Sequence, residues 1–407
     1  MWKARGYCAI PCRGLTLPRP APHAHQHPEE PLRKLALVAT LWLAACSPDG
    51  DRPIVIGLAG PFSQPRGVSM RRAAELAVKE INARGGLGGA GGGRRLELRI
   101  VDDSGRADVA IRVARVLVDD PAVVAVVGHL TSGASLAAAR VYSEGRRPVV
   151  MISPSASSPD LSGVSPFVFR VCPTDLSHGA QLARYARQTL SARRAGIIYI
   201  DDDYGRGLRL SFAAEFRRLG GTVVAEDPSL AATTSLEPYL SRMRQAGSVD
   251  VLMLATERGG AELALRDLTR LGLRWPAIGG DALTGIEAAG GGALAEGVRV
   301  SSAYLPDRPG ERNAVFVAAY ARAYEGERPD HRGAGAYDIL NLLAQVFTAV
   351  GSDRRAVRDR LARVGRDLPA YDGVTGAIGF DGRGDVPAKP VVMGVVRGGR
   401  IVTEAAQ

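Results

Sequence analysis

Cysteine is scarce in this chain of 407 residues, which holds 4 of them. Two fall within the first 45 residues, so a chain processed at that point keeps only Cys46 and Cys172. If Cys46 is acylated, as argued below, Cys172 has no cysteine to pair with. We therefore expect no intrachain disulfide, although an exported protein could form one.

Lysine and aromatic residues are scarce as well. Lysine occurs only at positions 3, 34, 79 and 389, so arginine supplies most of the formal net charge of +10. The arginines are spread along the chain among acids and form no basic stripe, so we expect no nucleic-acid partner. Aromatic residues make up 5% of the chain against 46% hydrophobic residues, which is typical of a globular protein built on Ala, Val and Leu.

Motifs of catalysis and cofactor binding are missing too. The sequence has no Walker loop, no G-x-S-x-G elbow and no HExxH, and no pair of its later histidines has metal-ligand spacing. GLGGAG at 86–91 follows a helix and precedes a strand, the reverse of a dinucleotide loop, so it indicates a surface turn. Three acids at 201–203 favour a solvated loop over a metal site. We predict that the chain is not an enzyme and has no cofactor and no metal.

Residues 32–45 have the features of a lipoprotein signal peptide. Arg33 and Lys34 precede an apolar run at 35–43, which is too short to span a bilayer of about 30 Å, and Leu43-Ala-Ala-Cys46 resembles a bacterial lipobox. An ordinary signal peptide followed by a chance cysteine is the alternative. We predict lipidation at Cys46, a tether at 46–52, a location in the periplasm or at the cell surface, and a doubtful N-terminal extension at 1–31.

Strand and helix patterns alternate through the rest of the chain. Repeated β–α units predict parallel sheets covered by helices, and the number of strands favours two lobes over one compact sheet. The predicted strands are 54–59, 96–101, 123–127, 149–152, 196–199, 222–225, 251–254 and 298–301. The predicted helices are 70–83, 108–117, 133–143, 177–190, 207–219, 236–245, 261–271, 313–324 and 334–350.

Two loops after predicted strands are rich in small hydroxyl residues, GHLTSGAS at 128–135 and ISPSASSP at 152–159. Ligands of parallel sheets bind at the carboxyl ends of the strands. Free N–H groups at a helix N-terminus, together with hydroxyls, can hold a carboxylate. The same serines could equally be N-caps and turn formers, so both interpretations stay open at this point.

An ordered set of segments makes the chain resemble the periplasmic leucine/isoleucine/valine-binding proteins, the type I solute-binding proteins of branched-chain amino acid ABC transporters. Their order and spacing over nearly all of residues 52–405 make the match specific. The segments are IVIGLAGP (54–61), AAELAVKEINARGG (73–86), VDD (101–103), VGHLTS (127–132), VMISPSAS (150–157), FR (169–170), YGRGL (204–208), GAIGFD (376–381) and GD (384–385).

The resemblance implies an α/β fold with two Rossmann-like lobes joined by three crossovers, near Thr174, 302–305 and Thr375. Lobe one would comprise 53–173 plus 304–374. Lobe two would comprise 174–303 plus 375–405.

The resemblance also implies a division of labour in lobe one. The first hydroxyl loop would hold the α-carboxylate of an amino acid through Thr131 and Ser132. The second would hold the α-ammonium through Ser155, Ala156 and Ser157.

Lobe two would supply Asp281 to complete the ammonium site and Tyr204 to cover the ligand. An acid from the far lobe can meet the ligand only when the lobes close, which links binding to closure. Polar residues stand at 64–67 and 256–258, where many amino-acid binders have aromatic walls, and this weakens the case for Leu, Ile or Val. Arg66 and Glu257 either bind polar ends of a larger or more charged ligand or are solvated rim residues.

These features predict a binding lipoprotein that captures an amino acid or related small polar solute and delivers it to an ABC permease and ATPase complex. The alternative is a ligand-sensing or scaffold lipoprotein of the same fold that acts on a protein partner.

Overall fold

The computed structural model describes residues 52–230 and 232–404. The predicted signal peptide, the lipidation site at Cys46 and nearly all of the tether lie outside these residues. In the part of the chain that is described, no helix combines the length and the apolar character needed to cross a membrane.

The first sheet has five parallel strands in the order β2-β1-β3-β4-β5. Strands β1 and β3 are buried along their whole length, which explains their uninterrupted apolar sequences. The strands are β1 (Ile54–Gly60), β2 (Leu96–Asp102), β3 (Val123–Val127), β4 (Val150–Ser153) and β5 (Val168–Arg170). Sequence analysis missed β5, which has only three residues.

Five helices pack around this sheet or beside it. The last two come from far along the chain, and Ile339 and Leu343 pack into the same core as Ile56 and Leu58. The helices are α1 (Pro65–Ala83), α2 (Ala107–Asp119), α3 (Ser132–Ser143), α9 (His331–Val350) and α10 (Arg354–Leu361). Sequence analysis missed α10.

The second sheet has seven strands in the order β14-β13-β10-β9-β8-β6-β7. Its middle is parallel, and a β13–β14 hairpin is added antiparallel at one edge. Gly398 and Gly399 form the turn with φ of 54° and 72°, the left-handed backbone that a two-residue hairpin turn needs. The strands are β6 (Arg194–Ile200), β7 (Thr222–Ser229), β8 (Val251–Ala255), β9 (Ala277–Gly279), β10 (Arg299–Ser302), β13 (Val392–Arg397) and β14 (Arg400–Thr403). Sequence analysis missed β9, β13 and β14.

The helices of the second lobe are α4 (Asp175–Gln188), α5 (Asp203–Arg218), α6 (Glu237–Gln245) and α7 (Arg258–Arg270). Helix α8 (Glu311–Ala323) instead packs beside α1, and a small hairpin, β11 (Tyr371–Gly373) and β12 (Gly376–Ile378), follows α10.

Parallel sheets flanked by helices in two lobes are the predicted fold. The exact lobe boundaries stay a prediction, and burial of Ile378 and Phe380 in the core around the first sheet argues for a third crossover later than Thr375.

Four helices begin three or more residues earlier than predicted, namely α1, α5, α7 and α9. Their first turns carry polar residues that interrupt the apolar stripe on which the prediction relied. In α5 the acids at 201–203 are part of this start, because the Asp202 side chain caps the helix by accepting a hydrogen bond from the Gly205 N–H. These early turns carry much of the site described next.

Candidate functional site

A cavity of about 1070 Å³ lies between the two lobes. It is bounded by loops and helix starts that follow the carboxyl ends of parallel strands in both sheets. Seven of the nine predicted ligand-binding residues line it, namely Arg66, Thr131, Ser132, Ser155, Tyr204, Glu257 and Asp281. Ala156 and Ser157 do not line it.

The first hydroxyl loop brings the N-terminus of α3 to the cavity. Thr131 is the N-cap, and its Oγ1 lies 3.4 Å from the Ala134 N–H that donates to it. The Ser132 hydroxyl accepts from the Ser158 N–H at 3.1 Å. Both hydroxyls therefore serve the fold, and the capacity to hold an anion lies in the helix N-terminus that they shape.

The second hydroxyl loop is a turn organised by Ser153. The Ser153 Oγ accepts from the Ala156 N–H at 2.9 Å and donates to the His129 carbonyl at 2.7 Å. Ala156 packs in the core, and the Ser157 carbonyl accepts from the Asp175 N–H at 2.8 Å. Ala156 and Ser157 therefore support the loop from behind, and Ser155 is its member at the cavity.

His129, in the first of these loops, is completely buried. Its Nδ1 lies 2.6 Å from Asp103 Oδ2, and its Nε2 lies 3.0 Å from the Tyr142 hydroxyl. Its carbonyl accepts from the hydroxyls of Ser135 and Ser153, one from each loop. His129 thus holds the two loops in register, which is a structural role.

The second lobe contributes Asp281 and Tyr204. Asp281 is 3% exposed, and its Oδ2 has no hydrogen-bond partner among the described residues. The Tyr204 hydroxyl lies 3.4 Å from the Ala282 N–H, and burial together with nearby Asp281 and Asp175 raises the pKa of Tyr204 well above its usual value. A buried carboxylate with a free oxygen is a strong partner for a ligand ammonium.

Arg66 and Glu257 form an ion pair across the cleft, from the first turn of α1 to the N-cap of α7. This arrangement matches neither predicted role fully, whether as binders of polar ligand ends or as solvated rim residues. Each residue lines the cavity, but its first partner is the other, so the pair is a bridge between the lobes.

Sequence analysis missed two cavity residues at the start of α9, Asp330 and Arg332. Asp330 is the N-cap and accepts from the N–H groups of Arg332 and Gly333. Arg332 lines the cavity and is 5% exposed. An Asp before an apolar helix, followed by two basic residues in the first turn, is the sequence signal that could have found them.

His331 bridges the two lobes from the same turn. Its Nε2 lies 3.2 Å from the Ser155 hydroxyl and 3.5 Å from Asp281 Oδ2, and its Nδ1 lies 3.3 Å from the Thr284 hydroxyl. Burial and the neighbouring Arg332 lower the pKa of His331 to about 4. The imidazole is therefore neutral at neutral pH and acts as a hydrogen-bonding spacer.

The arrangement can bind a small dipolar ion. An uncharged helix N-terminus on one lobe suits an anion, and a buried carboxylate on the other suits a cation. Among the described residues no group of three or more His, Cys, Asp or Glu is placed to hold a metal ion.

Comparison with known proteins shows which family the chain resembles in sequence. Residues 53–400 match the model of a family described as periplasmic binding protein. The Leu/Ile/Val-binding protein homolog 1 of Brucella abortus is 26% identical over 347 residues, which are 84% of this chain and 89% of that protein.

Solved structures of solute-binding proteins have the same fold as this chain. An ABC transporter substrate-binding protein from Desulfitobacterium hafniense, in complex with Leu, is 32% identical, with a TM-score of 0.73 over 87% of this chain and 100% of that one. The branched-chain amino acid transporter substrate-binding protein LivJ from Streptococcus pneumoniae, in complex with isoleucine, is 26% identical, with a TM-score of 0.76 over 87% and 100%. These relatives are binding proteins and not enzymes, in agreement with the prediction. The chain belongs to the periplasmic binding protein family, whose members capture solutes outside the cytoplasm, and it has the two-lobed fold of the type I members.

Proposed function

We propose that this protein captures an amino acid or a related small polar solute between its lobes and delivers it to an ABC importer. The observation that carries the proposal is the Asp281 carboxylate, which is 3% exposed, accepts no hydrogen bond from the described residues, and lines the cavity that the N-terminus of α3 enters from the other lobe. An α-amino acid has the matching pair of charges. Relatives of this protein that are named for binding leucine, isoleucine and valine support an amino acid as the ligand.

The test is a thermal-shift screen of the exported, processed protein, unfolded and refolded to remove carried ligand. The compounds are amino acids, small carboxylates, amides and short peptides. A ligand at 100 times its Kd adds about 2.7 kcal/mol to the free energy of unfolding, which shifts the Tm visibly. A shift with α-amino acids supports the proposal, whereas a folded protein that responds to no compound favours the sensor or scaffold alternative.

We also propose that the protein is a lipoprotein anchored through Cys46. The export pattern of residues 32–45 supports this. Cys46→Ala in the full chain is expected to abolish incorporation of radiolabelled palmitate and to release the protein from membrane fractions. Continued membrane association of this variant would refute the anchor, and Cys172→Ala is the matched control because that thiol is buried in the fold.

A further inference from the structure

The guanidinium of Arg332 is buried in the wall of the cavity with part of its hydrogen-bonding capacity unused. The residue is 5% exposed and is the second residue of α9. Its Nη1 donates to Asp330 Oδ2 at 2.9 Å. Its Nη2 lies 3.5 Å from the Asp281 carbonyl, at the limit of a hydrogen bond, and its Nε has no partner among the described residues.

The unpartnered Nε and the weakly bonded Nη2 share one edge of the guanidinium. Nε–H and one Nη2–H point in parallel and form a fork that donates hydrogen bonds to a carboxylate or a carbonyl oxygen. A buried charged group that lacks hydrogen bonds is costly, so an acceptor on the ligand would recover free energy at this position.

The rest of the cavity wall is mixed, with many charged and polar side chains and few aliphatic ones. Within the described residues, Val68 and Leu130 are the only large aliphatic residues that line it. A branched aliphatic side chain could contact these two residues and the rings of Tyr204 and Tyr320, but it would leave the Arg332 guanidinium without an acceptor.

We propose that Arg332 selects the side chain of the ligand, with Nε and Nη2 donating to a side-chain carboxylate or carboxamide oxygen. The preferred ligand is then an amino acid such as glutamate, glutamine, aspartate or asparagine, and leucine, isoleucine and valine are disfavoured. This inference rests on the proposed function, since it assumes that an α-amino acid occupies the cavity.

The test is calorimetric titration of the refolded protein with these seven amino acids, plus norvaline and 2-aminobutyrate. These two replace the side-chain carboxylates of glutamate and aspartate with a methyl group. We expect an acceptor-bearing ligand to bind roughly 10- to 150-fold more tightly than its methyl analogue. Comparison of the acid with its amide shows whether the acceptor is a carboxylate or a carboxamide.

Arg332→Leu is expected to remove that advantage and to leave leucine binding unchanged or tighter, and Arg332→Lys should restore part of it. Arg112→Leu, an exposed guanidinium of α2 outside the cavity, controls for the loss of a positive charge. The wild-type comparison of ligand pairs stands even if Arg332→Leu does not fold. Tightest binding of leucine, isoleucine or valine by the wild type overturns this inference alone. Binding of no amino acid overturns the proposed function and this inference together.

Discussion

At the scale of single residues, Asp175 and Asp281 are two buried acids of the second lobe whose environments differ. Burial and the neighbouring Asp281 raise the pKa of Asp175 well above its usual value, which favours its neutral form. Asp175 does not line the cavity, whereas Asp281 does. Asp281 is therefore the acid that we expect to meet a ligand cation.

Asp281→Asn keeps the size of the side chain and removes its charge. We expect the amino-acid Kd to rise by the equivalent of about 2–4 kcal/mol, since the ligand ammonium loses a desolvated partner. Calorimetric titration measures the change. Asp201→Asn, at an exposed acid outside the cavity, should bind like the wild type. An unaltered Kd for Asp281→Asn would exclude this residue from the site.

His331 predicts a pH dependence of stability. Its folded pKa of about 4 lies below the usual value of 6.5, so the unfolded chain binds more protons between these values. Neutral His331 therefore makes its full contribution to the free energy of unfolding above pH 6.5. As the pH falls toward 4 that free energy decreases by about 3 kcal/mol.

Urea unfolding at pH 4.5 and pH 7.5 tests this, because His331→Gln should lose less stability between the two pH values than the wild type. Equal losses in both proteins would show that His331 is not buried in its neutral form.

At the scale of secondary-structure elements, the site is built from first turns of helices. Arg66 lies in the first turn of α1, Tyr204 in that of α5, and Arg332 in that of α9. Helix starts present free N–H groups and side chains at the edge of the sheet, where the lobes face each other. The N-cap of α9 then positions both His331 and Arg332.

Two N-cap acids offer a matched comparison. Asp330 of α9 and Asp353 of α10 each accept two backbone N–H bonds, but only Asp330 lines the cavity. Asp353→Ala should cost about 1 kcal/mol of unfolding free energy, measured by urea denaturation, and Asp330→Ala should cost more, because it also leaves the buried Arg332 without its carboxylate partner. Only Asp330→Ala should also weaken ligand binding. A similar loss of affinity in both variants would show that the first turn of α9 has no special role in the site.

At the scale of the whole molecule, side chains of the two lobes meet across the cleft. Arg66 pairs with Glu257, and His331 lies within reach of Thr284 and Asp281. A ligand bound by both lobes would add to these contacts and shift the population toward the closed form.

A double-mutant cycle of Arg66→Gln and Glu257→Gln measures the first of these contacts. Both side chains are partly exposed, so we expect a coupling energy of about 0.2–1 kcal/mol in ligand affinity. Small-angle scattering of each ligand-free variant should show a larger radius of gyration. Arg270 and Glu237 pair within lobe two, so Glu237→Gln should change neither the ligand affinity nor the radius of gyration. Strict additivity in the cycle would show that the pair does not contribute to closure.

Much of the architecture could be predicted from the sequence because it depends on local patterns. Continuous apolar runs such as residues 54–59 indicated buried parallel strands, and helical stripes indicated the helices between them. The short strands and the edge hairpin were missed, because three-residue strands and a glycine turn leave little periodicity to detect. The family resemblance supplied Asp281 and Tyr204, and both residues line the cavity.

The sequence by itself determined the fold class, the repeated β–α order and the loops at the strand ends. Only the tertiary structure decided which side chains meet in the cleft. Arg66 and Glu257 are 191 residues apart, and His331 reaches Ser155 across 176 residues. Such contacts depend on how the two lobes pack against each other. Local sequence patterns contain no information about which residues far apart in the chain come into contact.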